Sequence, residues 1–104
     1  MRYKETEILL DRALKSIPLG SQTFSKSLTQ YPRGVSPLFI KKGLGPKVWD
    51  VDGNEYIDFV NSLASVTLGY CDTDVDMAVK RQMKNGVTFS LPHALEMEVA
   101  EKLI

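Results

Sequence analysis

The sequence predicts an α+β fold: an N-terminal helix, a small antiparallel β-meander, then two further helices. Three observations predict this class. Apolar residues recur at helical spacing near both ends of the chain, three short runs rich in β-branched and aromatic residues lie between them, and turns containing glycine separate those runs. The 104 residues are enough for one small domain.

The first predicted helix covers residues 5–17. Its apolar residues share one face because they lie three, four and seven residues apart: Leu10, Ala13, Leu14 and Ile17. Pro18 and Gly20 end the helix. Residues 18–37 follow without periodicity, so we expect a loop of about 20 residues, a length that usually indicates a functional site or a packing surface.

The predicted meander covers residues 38–60, in the runs PLFIKKG, KVWDV and EYIDFV. Four carboxylates within VWDVDGNEYIDF allow three interpretations: a calcium loop, an acid/base pair or a tight turn. A calcium loop that starts at Asp50 needs glycine at its sixth position and glutamate at its twelfth, where this chain has Glu55 and Asn61. Carboxylates beside a turn are usually solvated, so a hairpin that reverses at Asp52-Gly53-Asn54 is favoured.

Two helices are predicted after the meander, at residues 73–85 and 95–104. The first has Val75, Ala78, Val79 and Met83 on one face, and Asn85-Gly86 supplies a left-handed stop. The second reaches Ile104 without a stop signal, which favours a chain cut from a larger fold.

The composition excludes some classes of partner. Thirteen basic and thirteen acidic residues balance, so there is no electrostatic reason to expect nucleic acid or an anionic membrane as a partner. The single cysteine, Cys71, excludes an internal disulfide and fits the reducing cytoplasm. The N-terminus has acidic residues within its apolar stretch and does not read as a signal peptide.

The hairpin VWDVDGNEYIDF, followed by LGY and a helix that ends in NG, resembles the N-terminal segment of class III pyridoxal-phosphate-dependent aminotransferases. SIPLGSQTFSKS at 16–27 and NGVTFSLPHALEMEVAEKLI at 85–104 are similar to the branch of glutamate-1-semialdehyde 2,1-aminomutases and the aminotransferases related to it. The resemblance runs through essentially the whole chain. It implies part of the small domain of a fold type I transferase.

The resemblance also indicates substrate-side residues. Thr23 stands where the branch has serine, and Lys26 where it has an arginine that pairs with the substrate carboxylate. Leu63-Ala64-Ser65 occupies the place of Trp-Gly-Pro, an aromatic surface beside the substrate, and Tyr70 replaces a histidine. Thr23, Lys26 and Leu63 are therefore the candidate substrate-binding residues. No catalytic, cofactor-binding or metal-binding residue is predicted within the chain.

The resemblance implies pyridoxal 5'-phosphate as the cofactor of a full-length enzyme. The Schiff-base lysine and the phosphate cradle of the family lie beyond residue 104, so we expect the 104 residues alone to be inactive. The implied enzyme is a cytoplasmic homodimer that acts on an amino donor and a keto or aldehyde acceptor. The alternative is a non-catalytic interaction module that retains this N-terminal fold.

Overall fold

A computed structural model describes residues 2–104. The chain forms two compact units, of which the first extends to Asp72 and the second covers Thr73–Ile104, and each is described by itself. The predicted α+β class is confirmed, since helices accompany one antiparallel sheet with strand order β1-β2-β3. In chain order the elements are α1 (Lys4–Ala13), β1 (Ile40–Leu44), β2 (Lys47–Asp50), β3 (Glu55–Ile57), the single turn α2 (Asn61–Ala64), α3 (Thr73–Met83) and α4 (Ala94–Leu103).

Helix α1 is shorter than the helix predicted at 5–17. The regular helix ends at Ala13, and beyond it bonds that span three residues appear, such as that from the Ser16 N–H to the Ala13 carbonyl at 3.0 Å. Such bonds tighten the last turn of a helix, and Pro18 has no N–H with which to continue it. The loop predicted at 18–37 is also more ordered than expected, because it contains two short 3-10 turns.

The core of the first unit is small, and half of it is polar. Among the described residues, the buried apolar side chains are Tyr3, Leu10 and Val48, and the buried polar ones are Thr6, Ser27 and Asp50. Leu14 and Ile17 were expected on the buried face, but they are 42% and 41% exposed, and both lie beyond the end of the regular helix. Buried polar groups are stable only when they are hydrogen-bonded. The integrity of this unit therefore depends on its polar contacts as well as on apolar burial.

The meander forms in the predicted place. Strand β2 pairs with β1 on one side and with β3 on the other, and Val48 lies opposite both Gly43 and Tyr56. The β2–β3 hairpin reverses at Asp52-Gly53-Asn54 as predicted, and Gly53 adopts φ +88°. That conformation favours glycine because it has no Cβ. The hairpin predicted for this segment is therefore present in the structure.

The second unit consists of α3 and α4 with the segment that joins them. Gly86 follows α3 with φ +95°, as expected for a left-handed stop. Every residue of this unit is described, and none of them is buried. Val75, Val79 and Met83 are 45%, 50% and 62% exposed. The apolar faces of these helices are therefore open in this chain, and no described helix is long and apolar enough to cross a membrane.

His93 forms the N-cap of α4. Its Nδ1 atom accepts a hydrogen bond from the Leu95 N–H at 3.1 Å, and the Glu96 carboxylate accepts one from the His93 N–H at 3.1 Å. This reciprocal pair is a capping box, which satisfies N–H groups that a helix start leaves open. The Phe89 ring stacks on the imidazole at a centroid distance of 5.7 Å. The geometry thus gives the histidine a structural role.

Replacing His93 with alanine should loosen the start of α4. Loss of an N-cap acceptor costs about 1 kcal/mol, so amide hydrogen exchange at Leu95 should accelerate by about fivefold. His93→Asn replaces the Nδ1 acceptor with a side-chain oxygen acceptor and should keep most of the protection. Equal exchange rates at Leu95 in the wild type and in His93→Ala would contradict the capping role.

Candidate functional site

The segment after α1 begins with a tight turn that is fixed against the helix. Leu19 and Gly20 both have positive φ, of +59° and +70°, and Gly20 is buried. A Cβ atom at Gly20 would lie 3.2 Å from Leu10 Cδ1, so a side chain there would crowd the core. The position therefore requires glycine for its backbone conformation and for its close approach to α1.

Thr23 immediately precedes the next turn, Phe24–Lys26, and Lys26 is the last residue of that turn. The Lys26 N–H bonds to the Thr23 carbonyl at 3.2 Å, and the Thr23 hydroxyl lies 3.3 Å from the Ser25 hydroxyl. Buried Ser27 closes the turn through a bond from its hydroxyl to the Phe24 carbonyl at 2.7 Å. The structure thus brings the two predicted residues onto one exposed turn, with a hydroxyl and an ammonium group that can bind a carboxylate.

Arg33 fixes the far end of this loop to α1. Its guanidinium donates to Glu7 at 2.6 Å and to Asp11 at 3.0 Å, and the hydrogen bond and charge of Glu7 raise the pKa of Arg33. Exposed ion pairs of this kind contribute little to stability but restrict where a loop can lie. The turn that carries Thr23 and Lys26 is therefore held at both ends, by Gly20 and by Arg33.

The carboxylate of Asp50 forms all of its described side-chain hydrogen bonds within the hairpin. It is fully buried and accepts hydrogen bonds from the Asn54 N–H and the Asn54 side-chain amide, both at 2.8 Å, and from the Tyr56 hydroxyl at 2.9 Å. The Tyr56 pKa is raised by burial and by its bonds to the Tyr3 hydroxyl and to Asp50. These contacts favour a structural role over acid/base chemistry.

Asp52 caps α1 from the tip of the hairpin. Its carboxylate accepts from the Glu5 N–H at 2.6 Å, from the Thr6 N–H at 3.0 Å and from the Thr6 hydroxyl at 2.6 Å. Burial alone would raise the Asp52 pKa, but the bonds from Thr6 and Glu5 together hold it below its usual range. Within residues 2–104, no three His, Cys, Asp or Glu side chains are grouped to hold a metal ion.

Leu63 lies on α2, a turn whose backbone is left-handed throughout. Asn61, Ser62, Leu63 and Ala64 have φ of +51°, +48°, +55° and +72°, and none of them is glycine. The left-handed conformation costs about 1–2 kcal/mol for each such residue. Leu63 is 70% exposed on this turn, so burial of its side chain does not offset that cost. Strain of this kind persists only where the surrounding structure maintains it.

Asp58 and Tyr70 maintain that turn. One oxygen of Asp58 accepts from the Val60 N–H at 2.9 Å and the Asn61 N–H at 3.1 Å, and the other accepts from the Tyr70 hydroxyl at 2.6 Å. The bond from Tyr70 lowers the Asp58 pKa, and the same bond raises the Tyr70 pKa. Ser62 completes the group, with its hydroxyl 3.5 Å from that of Tyr70.

Tyr70 is itself anchored on the sheet. Its backbone forms two hydrogen bonds with Gly45, each of 2.9 Å, and its ring lies over Gly43, where a Cβ atom would come within 2.7 Å of the ring. In the sequence, Tyr70 stands out only as a departure from histidine, and nothing there indicates a function for Asp58. The signal for this group was faint: a tyrosine after Leu-Gly, and an aspartate just before the turn.

The lysines do not fit the reactive amine of a pyridoxal-phosphate enzyme. All nine are exposed, and two are engaged at the surface: Lys42 lies 4.5 Å from the centroid of the Trp49 ring, and Lys47 forms a 2.7 Å ion pair with Glu55. A Schiff-base lysine needs a desolvated setting or a neighbouring cation to lower its pKa. We therefore assign no contact with this cofactor, and no reaction step through it, to residues of this chain.

Comparison with known proteins identifies a family and several proteins to which this chain is similar. The sequence pattern of the family described as aminotransferase class III matches residues 30–104. The glutamate-1-semialdehyde 2,1-aminomutases of Citrifermentans bemidjiense and Geotalea daltonii are 38% and 39% identical to it over all 104 residues. The chain spans 24% of the length of each of them.

Solved structures show the same fold. An omega-transaminase from Sphaerobacter thermophilus superimposes with a TM-score of 0.79 at 32% identity, over 95% of this chain and 22% of that chain. A glutamate-1-semialdehyde-aminomutase from Pseudomonas aeruginosa gives 0.76 at 26% identity, over 95% and 21%. The resemblance found in the sequence is confirmed, and the chain belongs to the class III aminotransferase family.

Proposed function

We propose that this chain is the substrate-side, N-terminal segment of a pyridoxal-phosphate-dependent aminotransferase or aminomutase. The full-length protein, meaning the product of the complete reading frame that contains this chain, would move an amino group from a donor to a keto or aldehyde acceptor through the pyridoxamine form of the cofactor. The match to aminomutases over all 104 residues, with the transaminase fold, carries this proposal. We further propose a cytoplasmic homodimer, in which the second copy helps to cover the open apolar faces.

The cofactor test uses the full-length protein. Purified with pyridoxal phosphate, it should show the near-ultraviolet or visible absorption of the bound cofactor, lose it on dialysis against a competing amine and regain it when the cofactor is restored. A folded full-length protein that never takes up pyridoxal phosphate would contradict the proposal. That result would favour the non-catalytic interaction module.

Thr23, Lys26 and Leu63 are proposed to contact the substrate. The exposed turn Phe24–Lys26 supports this assignment for the first two, because Thr23 precedes it directly and Lys26 ends it, which places a hydroxyl and a cationic amine three residues apart. Leu63 would supply apolar surface where an aromatic side chain stands in the aminomutase branch. These roles make the segment a recognition element, while the reactive groups come from elsewhere in the full-length protein.

Lys26→Ala should weaken binding of a donor that carries a carboxylate. Loss of one charged contact costs about 1.5–3 kcal/mol, so KM should rise by about tenfold or more while kcat changes little. Lys26→Arg preserves the charge and should retain most of the affinity. Lys41→Ala removes another exposed lysine and is the matched control. Equal KM values for Lys26→Ala and Lys41→Ala would remove Lys26 from the site.

A further inference from the structure

The left-handed turn α2 is held by contacts that reach outside it. Asp58 binds the two N–H groups at its start, Val60 and Asn61, at 2.9 and 3.1 Å. Other contacts of the turn are local: the Leu63 N–H bonds to the Val60 carbonyl at 3.0 Å, the Val66 N–H to the Asn61 carbonyl at 3.0 Å, and the Ser65 hydroxyl to the Ser62 carbonyl at 2.7 Å. The contacts from Asp58 and Tyr70 add a restraint from outside the turn to these local bonds.

Tyr70 connects that group to the sheet. The 2.6 Å bond from its hydroxyl fixes the second oxygen of Asp58, and the two backbone bonds to Gly45 fix Tyr70. The ring also fills the space above Gly43, where a side chain would collide with it. The backbone of Asp58 is also bonded to the β1–β2 connection, through its N–H and the Pro46 carbonyl at 2.9 Å, but its carboxylate is tied to the sheet through the Tyr70 hydroxyl.

The turn presents an apolar side chain without burying it. Leu63 is 70% exposed, and the energetic cost of the left-handed backbone is not repaid by packing within this unit. A strained segment held by a dedicated hydrogen-bond group, with an exposed apolar tip, is the arrangement expected of a ligand-contacting element.

We propose that Tyr70 is a positioning residue for substrate selection, which acts through Asp58 to hold the turn α2 and thereby the side chain of Leu63. This rests on the proposed function, in which Leu63 contacts the substrate. Tyr70 does not touch the substrate in this account. It sets how far Leu63 protrudes, and so which lengths of apolar chain the donor can carry.

The test compares Tyr70→Phe with Tyr31→Phe in the full-length protein loaded with pyridoxal phosphate. Tyr31 is half-buried and lies outside the hydrogen-bond group that holds α2, so its variant controls for loss of a hydroxyl. The probes are β-alanine and its longer unbranched ω-amino homologues, with conversion of the bound cofactor to its amine form followed in single turnovers. Displacement of a substrate-positioning group can cost up to about a hundredfold. We therefore expect about a tenfold rise in the half-saturating concentration of the preferred donor, a changed preference among chain lengths and a nearly unchanged limiting rate.

Three further measurements separate positioning from general destabilisation. Tyr70→His keeps a donor for Asp58 and should restore most of the wild-type preference. Cofactor absorption should be the same in all variants. If Tyr70→Phe does not fold, Asp58→Asn tests the other end of the proposed path, because an amide offers one acceptor oxygen where the carboxylate offers two and cannot serve both Tyr70 and the N–H groups of Val60 and Asn61.

The possible outcomes distinguish this inference from the proposed function. A wild-type protein that binds no cofactor contradicts the proposed function and the role of Tyr70 with it. A cofactor-loaded wild type that reacts with none of these donors contradicts the role of Tyr70 in selecting among them. A reactive wild type in which Tyr70→Phe matches Tyr31→Phe in donor preference and half-saturation overturns the role of Tyr70 alone. A change in thermal stability without a change in donor preference overturns it as well.

Discussion

Asp50→Ala should lower the stability of the β2–β3 hairpin by about 3 kcal/mol. Each buried donor left without an acceptor costs about 1–3 kcal/mol, and this substitution removes the acceptor of three. They are the Asn54 N–H, the Asn54 side-chain amide and the Tyr56 hydroxyl. Partial access of water to Asn54 and Tyr56 keeps the expected loss below the sum of the three.

Native-state hydrogen exchange of the β2 and β3 amides in the full-length protein measures this effect locally. Tyr56→Phe removes a single donor and should cost about 1 kcal/mol. Asp76→Ala, at an exposed position in the first turn of α3, should stay within about 0.5 kcal/mol. A loss below about 1 kcal/mol in Asp50→Ala would show that the hairpin does not depend on this buried carboxylate.

The second large effect is expected where Asp52 joins the hairpin to α1. Thr6 is fully buried, and Thr6→Val removes its hydroxyl while keeping its shape, which should cost about 1.5–3 kcal/mol for a bond to a charged acceptor. Asp52→Ala removes that acceptor and the cap of α1 together, so it should accelerate exchange at Glu5 and Thr6 more than Thr6→Val does. When Thr6→Val is added to Asp52→Ala, the further loss of stability should be small, because the acceptor of the Thr6 hydroxyl is already absent.

The Asp52 contribution should also depend on pH in a defined direction. Its pKa is lower in the folded protein than the ordinary value of about 3.9. The stabilisation is therefore fully present above about pH 4 and is lost as pH falls through the folded pKa. The difference in exchange between wild type and Asp52→Asn should be constant near neutral pH and should narrow under acid conditions. A difference in exchange between these two proteins that grows as pH falls would contradict the lowered pKa of Asp52.

Much of the fold could be predicted because its signals are local. The residues Asp52-Gly53-Asn54 predict the hairpin by themselves, because their preference for a tight turn is local and does not depend on distant contacts. Gly86 likewise marks the end of α3. The end of α1 was misplaced because the apolar spacing continues to Ile17 although the hydrogen bonding changes at Ala13. Periodicity indicates a face and does not fix where a helix stops.

The candidate site was less accessible to sequence reasoning, because its contacts join distant residues. The bond between Thr6 and Asp52 spans 46 positions, and the bond between Asp58 and Tyr70 spans 12. Nothing in the local sequence around Asn61 indicates a left-handed backbone, since four consecutive residues other than glycine disfavour it. Thr23 and Lys26 could be proposed only from the family resemblance, and their contact with substrate stays a proposal.

The bond between the helix start and the hairpin tip has a consequence for biosynthesis. On the ribosome, the residues of α1 leave the exit tunnel well before Asp52, which is 46 positions downstream of Thr6. A nascent helix of ten residues is marginal in water when it stands alone. The contacts that stabilise the start of α1 can therefore form only after the meander has been translated. Pauses in elongation within that interval would prolong the exposure of α1 to chaperones and proteases.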